Sequence, residues 1–144
     1  MSVEFPSRAL IIEDTDADLR KAHRLLQQAG IEDIIVFARV AKAMLYLEDL
    51  AAQDRVLPSV IILDLEFAAE SGFEVLRFWK ANAKLHACRV IVWTIMGESV
   101  REICRLFGVS DVVSKLEGEQ ALIESIQKVI REMSGVSGAC VDVF

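Results

Sequence analysis

The stretch Val60-Ile61-Ile62-Leu63-Asp64 decides the reading of this chain. Four apolar residues, three of them β-branched, end in one carboxylate. A short continuous apolar run of this kind reads as a strand buried on both faces, as in a parallel sheet. An ionised carboxylate is costly to bury unless it is paired or meets a cation. Asp64 therefore belongs at the carboxyl end of the strand, where a parallel sheet opens and ligands bind. Taken alone, Asp64 reads equally well as a turn or capping residue. Its company elsewhere in the chain separates the two readings.

Upstream, Ala9-Leu10-Ile11-Ile12 is a similar run that closes on Glu13-Asp14. A helix follows, with Thr15 as its N-cap, Asp18 completing an imperfect capping box, and Gly30 as its stop. Leu19, Ala22, Leu26 and Ala29 recur at helical spacing and predict its buried stripe. Ile34-Ile35-Val36-Phe37 forms a second strand, and a second helix covers 40–53 with Ala43, Leu47 and Leu50 inward. Downstream of Asp64, a loop over 65–70 leads to a third helix over 71–83. Val90-Ile91-Val92-Trp93-Thr94 is the fourth strand, followed by a helix over 98–107 that ends at Gly108. A weaker fifth strand spans 109–114 and precedes a helix over 119–133. Strands and helices alternate strictly, which predicts an α/β fold: a five-stranded parallel sheet with right-handed crossovers and helices on both faces. One domain covers 1–133, and the Gly- and Ser-containing segment 134–144 reads as a flexible tail.

Composition agrees and excludes some functions. With 53% hydrophobic and 26% charged residues, the chain is expected to be globular. A net charge of −6 speaks against a nucleic-acid binder, which would carry a basic face. Cys88, Cys104 and Cys140 show no metal-ligand spacing with each other or with His23 and His86. They predict reduced thiols and a cytoplasmic location. No run reaches membrane-spanning length, and the amino terminus lacks a signal-peptide pattern.

The carboxyl ends of parallel strands share one edge of the sheet. Those ends carry Glu13-Asp14, Asp64, Thr94 and Lys115. Three carboxylates in one cleft repel each other unless a cation balances them. An all-oxygen ligand set favours a hard ion such as Mg²⁺. Lys115 adds a fixed positive charge and Thr94 a hydroxyl. Together these groups can neutralise and position a phosphoryl group.

On these residues the chain resembles the receiver domain of two-component response regulators over about 9–133. The resemblance is carried by Glu13-Asp14 in LIIEDTDADLR, Asp64 in VIILDLEF with Gly72 eight residues on, Thr94 in VIVWT, and Lys115 in GVSDVVSKLEG. The connection from the second helix to the third strand is similar to that of small stand-alone receivers that partner phytochrome-type kinases. The resemblance implies a flavodoxin-like sheet of order 2-1-3-4-5. It implies that Asp64 accepts a phosphoryl group from a sensor histidine kinase or a phosphotransfer protein. It further implies that Asp14, Asp64, Glu13 through water, and the backbone carbonyl of Glu66 hold Mg²⁺, and that Thr94 and Lys115 contact the phosphoryl oxygens. Partners would bind a two-state surface on helix 4, strand 5 and helix 5, including a homodimer through that face.

Four positions depart from the family pattern. Glu66 puts an extra negative charge two residues past Asp64. Ile95 follows Thr94 where a small residue is usual. Val112 stands where a swinging aromatic is usual, and a stiff β-branched side chain cannot make that movement. Leu116 follows Lys115 where a cis proline is usual, so a trans bond is expected and the aim of Lys115 is in question. These departures sustain an alternative: a pseudo-receiver that acts as a phosphorylation-independent interaction module. An aspartyl phosphatase is disfavoured, because neither a first-strand Asp-x-Asp nor a Gly-rich phosphate loop is present. The expected role is signalling, not enzymatic turnover. Trp79 and Trp93 are expected to pack against the sheet, and Arg101 and Arg105 to be solvated charges on one face of helix 4.

Overall fold

The computed structural model describes residues 8–134. The sheet is parallel and runs β2-β1-β3-β4-β5, with strands β1 (Arg8–Ile12), β2 (Asp33–Phe37), β3 (Val60–Leu63), β4 (Arg89–Thr94) and β5 (Asp111–Ser114). The helices are α1 (Asp16–Gln28), α2 (Val40–Ala52), α3 (Phe73–Ala81), α4 (Gly97–Leu106) and α5 (Glu119–Ser134). Short 3₁₀ turns cover Ala83–Ala87 and Lys115–Glu117. Residues 1–7 and 135–144, with almost all of the expected tail, lie outside the described residues.

Alternation along the strands divides the core in two. Leu10, Ile12, Ile61, Leu63, Val90 and Val92 point to the face covered by α2, α3 and α4. Ala9, Ile11, Val60, Ile62, Ile91 and Trp93 point to the face covered by α1 and α5. All four residues of β3 are buried, as their unbroken apolar run predicts. β2 is an edge strand and stays partly exposed.

Several local expectations change. Thr15 is the N-cap of α1 in position, but its side chain makes no capping bond. Leu25 joins Ala22 and Leu26 in the buried stripe of α1, whereas Leu19 and Ala29 are only half-buried. The third helix begins at Phe73 and ends at Ala81, and the 3₁₀ turn after it was not anticipated. The fifth strand is shorter than expected, starting at Asp111. Both tryptophans are buried as expected, and Trp79 Nε1 donates to the Cys88 carbonyl at 3.0 Å. Arg101 does more than face solvent: it donates to the Val112 carbonyl at 3.1 Å, tying α4 to β5.

Candidate phosphoacceptor site

Glu13 follows β1 and Asp64 follows β3, and these strands are neighbours in register. The Asp64 N–H continues the ladder by donating to the Ile12 carbonyl at 3.1 Å. This brings two carboxylates to adjacent strand ends, and both are buried, at 1% and 4% exposure. Asp14, the next residue after Glu13, is exposed. Oxygen atoms of Glu13, Asp14 and Asp64 lie within 4.8 Å of one another. The carboxylate of Glu66 is not part of that cluster. Its backbone N–H donates to Asp64 Oδ1 at 3.2 Å, which fixes the turn after the strand.

Lys115 closes the group from the other side of the sheet edge. Its Nζ donates to Glu13 Oε1 at 2.9 Å, Asp64 Oδ2 at 3.1 Å and Asp18 Oδ2 at 2.8 Å. It also lies 5.0 Å from the centroid of the Trp93 ring, within cation–π range. Leu116 follows in trans, since no cis peptide occurs among the described residues. The lysine nevertheless reaches the pocket. The Leu116 N–H donates to Ser114 Oγ at 3.1 Å and holds the 3₁₀ turn that carries it. α4 packs tightly here: a Cβ on Gly97 would stand 2.9 Å from the Ser114 Cα.

The electrostatics follow from burial and charge. Burial, then the Asp64 charge, push the Glu13 carboxyl up to about 7, with Lys115 pulling the other way. Burial works to lower the Lys115 pKa. Its hydrogen bonds to Asp18 and Glu13, with the charges of Glu13 and Asp64, outweigh burial and raise it. The ammonium therefore stays charged at neutral pH.

Thr94 ends β4, the strand beside β3. Its hydroxyl is buried and has no hydrogen-bond partner among the described residues. Such a group costs free energy unless a ligand supplies a partner. An oxygen-only carboxylate trio, with an orphaned hydroxyl at the next strand end, suits a hard divalent cation together with an oxyanion. The donor set therefore fits Mg²⁺.

The sequence profile of the response regulator receiver domain matches residues 9–127. The chain belongs to that family. Comparison with curated proteins found no match. Among solved structures it is similar to the bacteriophytochrome response regulator RtBRR, with 26% identity, TM-score 0.71, and coverage of 86% of this chain and 78% of that one. It is similar to the Mn²⁺-bound form of the response regulator Rcp1, with 26% identity, TM-score 0.68, and coverage of 86% and 91%. It shares its fold with the phosphorylated cyanobacterial phytochrome response regulator RcpA, at 22% identity, TM-score 0.70, and the same coverage of 86% and 91%. Receiver domains are signalling modules that bind divalent cations at an acidic pocket, and this receiver places a Glu-Asp-Asp cluster there. No helix among the described residues is long and apolar enough to cross a membrane.

The departures from the family pattern now have positions. Ile95 is 54% exposed at the rim of the sheet edge. Val112 is buried in the core beneath α4. Two residues of the neighbourhood escaped the sequence reading. Asp18, expected in a capping box, instead contacts Lys115. Glu70, in the β3–α3 loop, accepts from the N–H groups of Val40 and Ala41 at 2.8 and 3.1 Å and so caps α2. The available signal for Asp18 was the surplus of acids in Glu13-Asp14-Thr15-Asp16-Ala17-Asp18, more than one cation needs.

Proposed function

We propose that Asp64 accepts a phosphoryl group from the phosphohistidine of a sensor histidine kinase or phosphotransfer protein. A carboxylate oxygen of Asp64 bonds to phosphorus, the N–P bond of the donor breaks, and the imidazole leaves with the bonding pair and takes up a proton. Asp14, Asp64, Glu13 through water, and the Glu66 backbone carbonyl are the groups that would hold Mg²⁺. The ion supplies charge neutralisation for the phosphoryl oxygens. Lys115 offers those oxygens a second positive charge, and Thr94 offers its unpaired hydroxyl. The protein then acts through binding partners and not through turnover. Its partner-facing surface is α4–β5–α5, where Ile103 and Leu106 are exposed at 47% and 74%, and a homodimer through this face belongs to the same reading. Val112 is core, so the change of state must be carried by an element other than a swinging aromatic.

The observation that supports this most is the convergence of Lys115 on both Glu13 and Asp64, with the unsatisfied Thr94 hydroxyl at the end of the strand that lies between theirs. Beryllofluoride with excess Mg²⁺ tests it, with Trp93 under the Lys115 ammonium as the fluorescent reporter. A saturable change that Asp64→Asn abolishes is expected. No change would select the pseudo-receiver. One observation favours that second reading: Lys115 already bridges three carboxylates, so the pocket is partly neutralised by the chain itself.

A further inference from the structure

Asp18 stands in the first turn of α1, three residues after the N-cap. A carboxylate there ordinarily reaches back to the N-cap backbone N–H. In this chain that N–H, on Thr15, donates to Glu13 Oε2 at 3.2 Å. Asp18 is thereby released. It turns away from its own helix end to Lys115, 97 residues on, at 2.8 Å.

Asp18 differs in kind from the other two partners of Lys115. Glu13 and Asp64 belong, with Asp14, to the trio whose oxygens cluster, and Asp18 does not. A divalent ion at the trio would compensate the charges of Glu13 and Asp64 and weaken their hold on the ammonium. Asp18 would keep its full charge for Lys115. The ammonium sits on a flexible four-carbon stem and needs an anchor to keep one position.

Building on the phosphoacceptor reading above, we propose that Asp18 is a positioning residue. It anchors the Lys115 ammonium beside Asp64 once a divalent cation has engaged Glu13 and Asp64, so that the lysine is in place for the anionic group on Asp64. Simple charge repulsion predicts the opposite sign: removing a carboxylate near an anion site should tighten anion binding. The anchor outweighs repulsion because the Asp18–Lys115 contact is short and largely shielded, with the two side chains 23% and 9% exposed.

The test titrates the full chain in excess Mg²⁺ with beryllofluoride, following tryptophan fluorescence, for wild type, Asp18→Ala, Asp18→Asn, Lys115→Ala and the Asp18→Ala/Lys115→Ala double variant. Asp18→Ala is expected to weaken beryllofluoride binding about tenfold, the scale of one charge-assisted hydrogen bond. Asp18→Asn, which keeps an acceptor oxygen, should lose less. Added to Lys115→Ala, the Asp18 substitution should change nothing further, which a merely structural role could not explain. Binding by Asp18→Ala as tight as wild type or tighter would overturn the proposal. So would an equal loss on the Lys115→Ala background. A separate readout is the ¹⁵N signal of the Lys115 ammonium in Mg²⁺-loaded protein, expected to persist in wild type and to vanish in Asp18→Ala. A wild type blind to beryllofluoride would sink the phosphoacceptor reading and the lysine's role in it. A Lys115 signal that survives in Asp18→Ala would sink the anchor alone.

Discussion

Lys115 Nζ lies 3.1 Å from Asp64 Oδ2, although β4 separates their strands in the sheet. The lysine spans one strand to reach the acidic end of another. Both residues stand at the edge where the parallel strands finish. That relationship joins the two halves of the candidate site, and the behaviour of variants should follow from it.

Removing Lys115 leaves Asp64 buried without its cation and pushes Glu13, already raised to about 7, further toward its protonated form. Breaking a buried ion pair from one side costs about 3 kcal/mol or more. Lys115→Ala should therefore unfold at lower urea in the absence of divalent ions. Because the same carboxylates belong to the trio proposed to hold Mg²⁺, an excess of the ion should restore most of the loss. Urea midpoints with and without Mg²⁺ check this, and an equal deficit in both would show that the carboxylates do not hold the ion.

Gly72 is required by space and not by backbone angle. Its φ of −66° suits any residue. A Cβ there would stand 2.3 Å from the Asp64 carbonyl oxygen and 2.8 Å from the Leu65 Cα. Both are backbone atoms and cannot rotate aside. Gly72→Ala should cost about 3 kcal/mol by forced displacement of the strand end. Urea unfolding at equilibrium measures that cost. A variant as stable as wild type would show that the loop after β3 yields freely.

Glu70 links the loop after Asp64 to the N-terminus of α2. The N–H of Val40, then that of Ala41, holds its carboxyl below the usual range. A carboxyl with a lowered folded-state pKa contributes stability above its unfolded value and loses it as pH falls through the folded one. Glu70→Ala should therefore be less stable than wild type at neutral pH. The two should converge once the medium is acidic enough to protonate Glu70 in the native state. Thermal midpoints across that range decide it, and a gap that persists at the acidic end would assign the loss to packing.

Ile95 and Glu66 are exposed residues that follow Thr94 and Asp64 at the strand ends. Ile95 is about half exposed, so Ile95→Ala should cost no more than about 1 kcal/mol. Uncovering the mouth should speed labelling by a small phosphodonor. Glu66→Asn removes a negative charge beside Asp64 and should alter the rate of phosphorylation or of hydrolysis. Unchanged rates in both variants would show that neither residue guards the pocket.

Much of this was legible in the chain. The buried strands announced themselves as unbroken apolar runs, and the strand-end carboxylates followed from where those runs stop. The sheet order came from the family resemblance and not from periodicity. The remaining features depend on contacts between distant segments. Asp18 looks like a capping residue until α1 is laid beside the turn after β5. Glu70 looks like loop filler until α2, 30 residues upstream, presents its bare N–H groups. The aim of Lys115 was in question because Leu116 replaces the expected proline. The Ser114 hydroxyl, which supports that turn, carries no signal of its own in sequence.

The most direct measurement is intact-mass spectrometry of the chain after incubation with a phosphoramidate donor and Mg²⁺. The account predicts one added phosphoryl group, located on Asp64, absent without Mg²⁺ and absent in Asp64→Asn. An unmodified wild type under those conditions, or a phosphoryl group that survives the Asp64→Asn substitution, would contradict it.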